Sequence, residues 1–331
     1  MPLAPSGIRH DNPAAGIGFV LAAVGAISIN DMLVKFLSGD YPLHQIIFIR
    51  SAIGIVFSLV LVQMEGGLAI LRSTTPVLHA LRGVLIVIAN LTFFTALAAV
   101  PLAEATALFF VAPLMITLLS IPLLGEKVGP RRVGAALIGF AGVVIMLRPW
   151  DVGGERSAPL LILLMPLVAA LTYALNQILT RKLGATTKAS ALAVHIQGMF
   201  VVVSLGFFLV AGDGHFAKGV ENESLRFLLR AWTWPEGTDL YLMMGLGLNA
   251  AVIGYSLSQA YRLADAATVA PFEYIGLPLA VLWGWLVWGE LPGATVTVGI
   301  VLIIGSGLFV FLRERQKQRP LAGGRRMNRR Y

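Results

Sequence analysis

Residues 102–126 read LAEATALFFVAPLMITLLSIPLLGE, and residues 263–290 read LADAATVAPFEYIGLPLAVLWGWLVWGE. Both stretches open on Leu-Ala and an acid (Glu104 or Asp265), reach a threonine (Thr106 or Thr268), run through apolar sequence and close on Gly-Glu, at Gly125-Glu126 and Gly289-Glu290. The residues downstream agree too, because Gly134 and Gly142 lie eight apart after the first stretch and Gly299 and Gly307 lie eight apart after the second. Upstream, Asn30 and Lys35 are five apart, as are Asn176 and Arg181. Features that recur in one order describe a duplicated chain. Its first copy covers 1–150, its second 151–312, and a basic tail occupies 313–331.

Composition says where such a chain lives. It has 331 residues, of which 57% are hydrophobic and 13% charged, and its mean hydropathy is +0.81. A soluble globule carries roughly 25% charged residues, so this is read as an all-α polytopic membrane protein. Apolar runs broken by charge, Gly or Pro predict ten transmembrane helices, at 15–37, 44–63, 77–99, 102–124, 131–148, 158–180, 189–211, 239–261, 267–288 and 292–312. The first run is too long for a signal-peptide core and lacks a small-residue cleavage site after it, so it is taken as a span. In the long connection at 212–238, Leu225, Leu228, Leu229 and Trp232 recur beside Arg226 and Arg230, which fits either a short amphipathic helix on the membrane surface or a solvated loop.

Each copy holds five spans. Five is odd, so the second copy enters the bilayer from the opposite side, giving two inverted five-helix repeats. With a cytoplasmic N-terminus, 18 Lys and Arg residues fall on the cytoplasmic side and 5 on the other, which predicts an inner-membrane protein with both termini cytoplasmic. The net charge of +8 sits largely in the tail, where eight basic residues occupy the last 19 positions. Anionic lipid of the bilayer, rather than nucleic acid, is the expected partner. With no cysteine, no phosphate-binding loop, no nucleophile motif and no ligand cluster at metal spacing, neither metal nor cofactor is expected, and an intramembrane enzyme or a channel is the weaker alternative. Inverted repeats place a binding site near the midplane and produce alternating access by exchanging the roles of the two halves. That makes a carrier with a small-molecule substrate the expected function.

The segments Pro101 to Pro149 and Ala270-Pro271-Phe272-Glu273-Tyr274 through Trp288-Gly289-Glu290 resemble the drug/metabolite transporter superfamily and its EamA family. The resemblance implies export or uptake of amino acids, nucleoside-like compounds or vitamins. Asn30-Asp31 to Lys35, Gln45 to Arg50 and Arg82-Gly83 are similar to a bacterial subgroup that includes riboflavin transporters.

An ionisable side chain at the bilayer centre costs at least ~2.5 kcal/mol and so needs a partner or a cavity. Asp31 and Lys35, four apart on one helical face, are expected to pair. Arg50, six residues into the second span, pairs with Asp31 or meets an anionic group; the three are read as a structural ion-pair set. Glu273 lies a third of the way into the ninth span with no basic residue near it in sequence. Ionisation of such a carboxyl depends on access to water, so Glu273 is the expected proton-coupling residue. Asn30, Asn90, Tyr173, Asn176 and Tyr274 are the expected substrate-binding residues, with Asn249, Tyr255 and Gln259 as further polar groups and Phe109 and Phe110 as a stacking surface. Glu104 and Asp265 fit helix N-termini, and Glu126 and Glu290 read as structural. Glycines 134, 139, 142, 299, 305 and 307 permit close packing, either between helices of one chain or across a homodimer.

Overall fold

A computed structural model describes residues 13–72, 75–124, 129–150, 157–183, 189–263 and 272–318. Among them the regular structure is helical throughout. In the first half the helices are α1 (Pro13–Leu37), α2 (Leu43–Glu65), α3 (Pro76–Leu97), α4 (Leu102–Phe109), α5 (Ala112–Leu124) and α6 (Pro130–Leu147). The second half supplies α7 (Leu160–Leu183), α8 (Ala189–Ala211), α9 (Glu223–Leu229), α10 (Thr238–Leu263), α11 (Gly276–Trp288) and α12 (Ala294–Gln318). Six of these, α1, α2, α3, α7, α8 and α10, are long and apolar enough to cross a membrane, and shorter apolar helices accompany them. Large apolar side chains such as Val60, Val77, Leu161, Leu209 and Val301 are more than half exposed around the outside. A soluble protein would hide such residues, whereas lipid accepts them. The chain is a multi-pass membrane protein.

Two expected spans are not continuous. The fourth breaks into α4 and α5 at Phe110 and Val111, because Pro113 has no amide to donate to the Phe109 carbonyl one turn earlier. The ninth turns at Tyr274 and Ile275, after a short helical stretch at 272–273, before α11 begins at Gly276. Each break falls fifteen residues ahead of its Gly-Glu pair. At the end of α11, Gly289 takes a left-handed conformation (φ 68°) that a side chain would resist, and the amides of Gly289 and Glu290 cap carbonyls of Trp285 and Gly284.

The packing mixes the halves. α1 lies on α10, α2 on α8, α3 on α7, α4 on α11 and α6 on α12, with α2 also touching α10 and α1 touching α11. The α6–α12 contact is glycine-mediated: a methyl group on Gly142 would come within 3.0 Å of the Gly299 carbonyl. For Gly142 and Gly299 this is packing between helices of one chain, whereas Gly134 and Gly305 meet no neighbour within 4 Å of where a methyl group would stand. Beyond α8, the expected surface helix is α9, capped by Asn222, whose side chain accepts from the Leu225 amide at 3.1 Å. It docks on α2 and α3. Phe227 and Ser224 are buried and Leu225 is half exposed, while Leu228 of the expected stripe packs, partly buried, against the core. Trp232 stacks on Phe48 and Phe208, and Gln45 accepts from the Thr233 amide at 3.1 Å. Arg230 donates to the carbonyls of Ser38 and Gly39. Tyr41, at the same turn, donates to Asp239 at 2.9 Å, and burial first and that carboxylate second push its phenol pKa up.

Candidate functional site

Arg50 is the eighth residue of α2, roughly 10 Å along the helix at ~1.5 Å per residue. Only 8% of it is exposed. Its guanidinium donates to Asn30 Oδ1 on α1 at 3.1 Å and to Asn90 Oδ1 on α3 at 3.2 Å. Each asparagine is held in turn: Asn30 donates to Asp31 Oδ1 at 3.1 Å, and Asn90 donates to the Ile86 carbonyl of its own helix at 3.1 Å. Phe94 and Phe200 place ring centroids 5.8 and 5.6 Å from the guanidinium carbon. Asp31 therefore meets Arg50 through Asn30 and through its field, not in a direct ion pair.

The pairing expected of Lys35 is also different. Its ammonium is 3.0 Å from Glu290 Oε2, donates to the Val100 carbonyl at 3.0 Å, and lies 4.9 Å from the centroid of a Trp288 ring. Asp31, one turn earlier, takes its bond from Asn30. The physical reason is reach. Gly289 projects Glu290 toward the end of α1, so a long lysine finds a carboxylate on another helix more easily than one on its own. Glu290 thus joins α1 to the turn after α11. Beside it is a cavity of about 200 Å³ lined by Glu104, Arg148, Ser157 and Glu290 among others. Glu104 is buried there within reach of Ser157 and the Arg148 charge. Glu126 and Asp265 lie outside the described residues.

From Arg50 an aromatic path leads to the helix breaks. Phe94 touches Phe93 (5.3 Å between centroids), Phe93 touches Phe109 (5.3 Å), and Phe109 touches Tyr173 of α7 (5.4 Å). Phe110, at the first break, touches Tyr274, at the second, with 5.6 Å between centroids. Glu273 acts electrostatically on both Tyr173 and Tyr274. Tyr173 accepts a bond from Gln177 at 2.7 Å. The Tyr274 ring lies against Gly307, where any side chain would collide with it, and its buried hydroxyl meets no hydrogen-bond partner among the described residues. Asn176 is buried on α7.

The sequence-named residues thus gather into two groups joined by the aromatic path, Asn30, Asp31, Arg50 and Asn90 at one end and Tyr173, Glu273 and Tyr274 at the other. Lys35 belongs to neither. Other polar residues have other places: Asn249 donates to the Ala26 carbonyl at 2.7 Å and ties α10 to α1, while Tyr255 is 40% exposed and packs on Phe19. His195 meets His79 across α8 and α3, with ring centroids 5.0 Å apart. Phe94 and Phe200 were not legible as site residues, since a phenylalanine in a span reads as lipid-facing or core. The breaks had a signal, Ala112-Pro113, that the unbroken apolar run concealed.

Helices interrupted at matching places inside a multi-pass bundle, with charged and aromatic groups collected where they stop, define a membrane transporter of small molecules. Residues 14–148 match the EamA-like transporter family. A riboflavin transporter of Rhizobium johnstonii is 32% identical over 305 residues, covering 92% of each chain. Another riboflavin transporter, from Vibrio cholerae, is 30% identical over 316 residues, 94% of this chain and 97% of that one. The S-adenosylmethionine uptake transporter of Rickettsia prowazekii is 26% identical over 301 residues, 91% of this chain and 94% of its own. One solved crystal structure, 19% identical, covers 92% of this chain and 99% of its own with a TM-score of 0.63, a likeness of fold. This chain belongs to the EamA-like transporter family of the drug/metabolite transporter superfamily.

Proposed function

We propose that the chain is an inner-membrane secondary carrier of ten spans, with repeats at 1–150 and 151–312, cytoplasmic termini and the tail 313–331 on the cytoplasmic face. It moves a small planar organic metabolite by alternating access and couples that movement to protons through Glu273. The observation that carries this reading is the meeting of the two helix breaks at Phe110 and Tyr274 beside Glu273. Broken helices at corresponding positions of two repeats mark the substrate site in carriers.

The helix contacts support the two-fold relation. Exchanging spans one to five with six to ten turns the α1–α10 contact into the α7–α3 contact, the α2–α10 contact into the α8–α3 contact and the α1–α11 contact into the α7–α5 contact, and returns the α2–α8 and α6–α12 contacts to themselves. A planar substrate suits the aromatic path, and the relatives are named for riboflavin and S-adenosylmethionine. Both of those molecules carry a flat nitrogen heterocycle. Tyr173 and Tyr274 line the site with Asn30, Asn90 and Asn176 nearby, and Glu273 exchanges its proton when the site opens to water.

Uptake into proteoliposomes tests the reading. Riboflavin, S-adenosylmethionine, nucleosides and amino acids are offered with and without a proton gradient. Saturable uptake of a planar heterocycle, competed by its analogues and raised by the gradient, is expected. Flux that rises linearly with concentration and resists competition would describe a channel.

A further inference from the structure

α6 and α12 are close at one level and apart at another. Gly142 and Gly299 bring the two backbones together, and a methyl group on Gly139 would meet the Ser306 hydroxyl. Gly134 and Gly305 take no part in that contact, since each has open space where a methyl group would stand. They floor a groove of about 450 Å³ that Ile138, Val301 and Phe309 help to wall and that Arg131 borders. Ile138 and Val301 are more than half exposed, so the groove opens on the outside of the bundle. From Val301 to Phe309 it follows α12 for roughly 12 Å at ~1.5 Å per residue, most of one leaflet of a hydrocarbon core ~30 Å thick. Arg131 stands in the first turn of α6, at the end where α12 runs on into the basic tail. It is exposed and makes no hydrogen bond or ion pair with the described residues.

We propose that this groove holds a single anionic phospholipid from the leaflet on the tail's side, with an acyl chain along the glycines and its phosphate on Arg131. Lipid tails are as apolar as the side chains that wall the groove, so the hydrophobic effect does not choose the occupant. Shape and charge do. The missing side chains at Gly134 and Gly305 leave a channel that a flexible chain can follow, and Arg131 stands at the end of that channel where a headgroup begins. Basic pockets between helices bind anionic headgroups for the same reason. A second copy of this chain suits the charges less well. Two copies docked groove to groove about a two-fold axis along the membrane normal would set Arg131 against Arg131, and two tails of eight basic residues each at one depth. An anionic lipid meets the same charges with attraction. None of the residues assigned to the substrate or to proton coupling lines the groove, so the inference goes beyond the carrier reading without depending on it.

Native mass spectrometry of the purified full-length protein tests the site, with dioleoylphosphatidylglycerol, dioleoylphosphatidylcholine and glycerol phosphate as probes. The wild type should retain one phosphatidylglycerol at least about fivefold more tightly than phosphatidylcholine, the worth of one basic group at a membrane surface. It should not retain glycerol phosphate, which has the charge without the chains. Arg131→Gln should bind the two lipids alike. Gly305→Leu fills the groove while leaving Arg131 and the tail in place, and Val301→Trp blocks it from a position that is already exposed. Both should weaken phosphatidylglycerol by at least the same factor. Phosphatidylglycerol held at parental strength by both blocked variants would assign the lipid to the tail and overturn the inference. Equal retention of the two lipids by the wild type overturns the anionic choice, and glycerol phosphate bound as tightly as the lipid makes this a site for a soluble anion. A dimer that forms without lipid and is lost in both blocked variants makes the groove an interface between copies, which also overturns the inference.

Discussion

Lys35 and Arg50 sit on adjacent helices of the same half, and both are largely withdrawn from solvent, yet they are neutralised in opposite ways. Lys35 holds a carboxylate at 3.0 Å, a backbone carbonyl and an aromatic face, and all of these partners come from the protein. Arg50 holds two neutral amides, with the Asp31 carboxyl set back behind one of them. The first arrangement is closed and joins the end of α1 to the turn after α11. The second is open, and its openness is maintained by asparagines that hold the guanidinium without satisfying it. In a medium where an isolated charge is expensive, complete pairing is the mark of framework and incomplete pairing that of a site.

Glu273 tests how far that distinction extends, and it carries the largest expected effect. It lies in the electrostatic reach of Tyr173 and Tyr274, next to the helix break. A group that takes up and releases a proton during the cycle is a moving charge, not framework. Glu273→Gln keeps the shape and hydrogen bonding of the protonated acid and cannot release a proton. Exchange of substrate across proteoliposome membranes should survive, while accumulation against a gradient should vanish whether the assay is run mildly acidic or mildly alkaline. Uphill uptake equal to the parent's would make Glu273 structural.

The closed pair predicts a smaller, reversible loss. Breaking a buried ion pair by removing one member costs about 3–5 kcal/mol. Glu290 keeps a third of its side chain exposed, so screening leaves about 1–2 kcal/mol for Lys35→Met, read as a lower melting temperature. The exchange of charges, Lys35→Glu with Glu290→Lys, should recover most of that stability, because the pair needs opposite signs more than it needs a particular order. A double variant no more stable than the single one would show that the Val100 carbonyl and Trp288 hold Lys35, not the carboxylate.

Glycines on one helix allow a finer cut. On α12, Gly307 carries the Tyr274 ring against its Cα, whereas Gly305 has open space where a methyl group would stand. Gly307→Ala should displace Tyr274 and cost about 1–3 kcal/mol of stability by overpacking. Gly305→Ala, two residues away, should change stability by less than about 1 kcal/mol, in the stabilising direction if helix propensity decides. Equal melting temperatures for the two variants would mean that α12 yields freely and that the Tyr274 position is not fixed by packing.

Most of the long helices were legible because about twenty apolar residues in a row admit one reading. Break positions were not, because hydropathy averages over Phe110 and Val111 as though they continued a helix; only the proline at 113 and its counterpart region at Tyr274 to Gly276 distinguish them. Charged residues could be named from sequence, but not their partners. Spacing put Asp31 opposite Lys35, and the fold instead gave Lys35 a carboxylate 255 positions away. Partner choice across such distances depends on which helices pack, and that information lies in the whole set of contacts and in no single motif. The segment after α8 shows the same limit, since tertiary docking keeps Leu228 and Trp232 of its apolar stripe against the protein, leaves Leu225 half exposed and buries Phe227, which the stripe did not include.

That docked segment supplies the smallest expected effect, a difference in labelling that fixes which side of the membrane the closed pair faces. The chain has no cysteine, so an introduced thiol reports alone. Arg230 binds the turn between α1 and α2 and Thr233 binds the first turn of α2, so the segment marks the Lys35 end of the molecule. The count of 18 basic residues against 5 predicts that this end faces away from the cytoplasm. Leu225 is 47% exposed and Ser224 is fully buried although the two are adjacent. In intact cells permeable only at the outer membrane, Leu225→Cys should therefore react with a membrane-impermeant maleimide, and Ser224→Cys should react only after denaturation. Labelling of Leu225→Cys from the cytoplasmic face alone would invert the topology and place the Lys35–Glu290 pair inside. Equal labelling at both positions would instead leave the orientation standing and show that α9 lifts off the helix ends in solution, so that Phe227 is held less firmly than its burial implies.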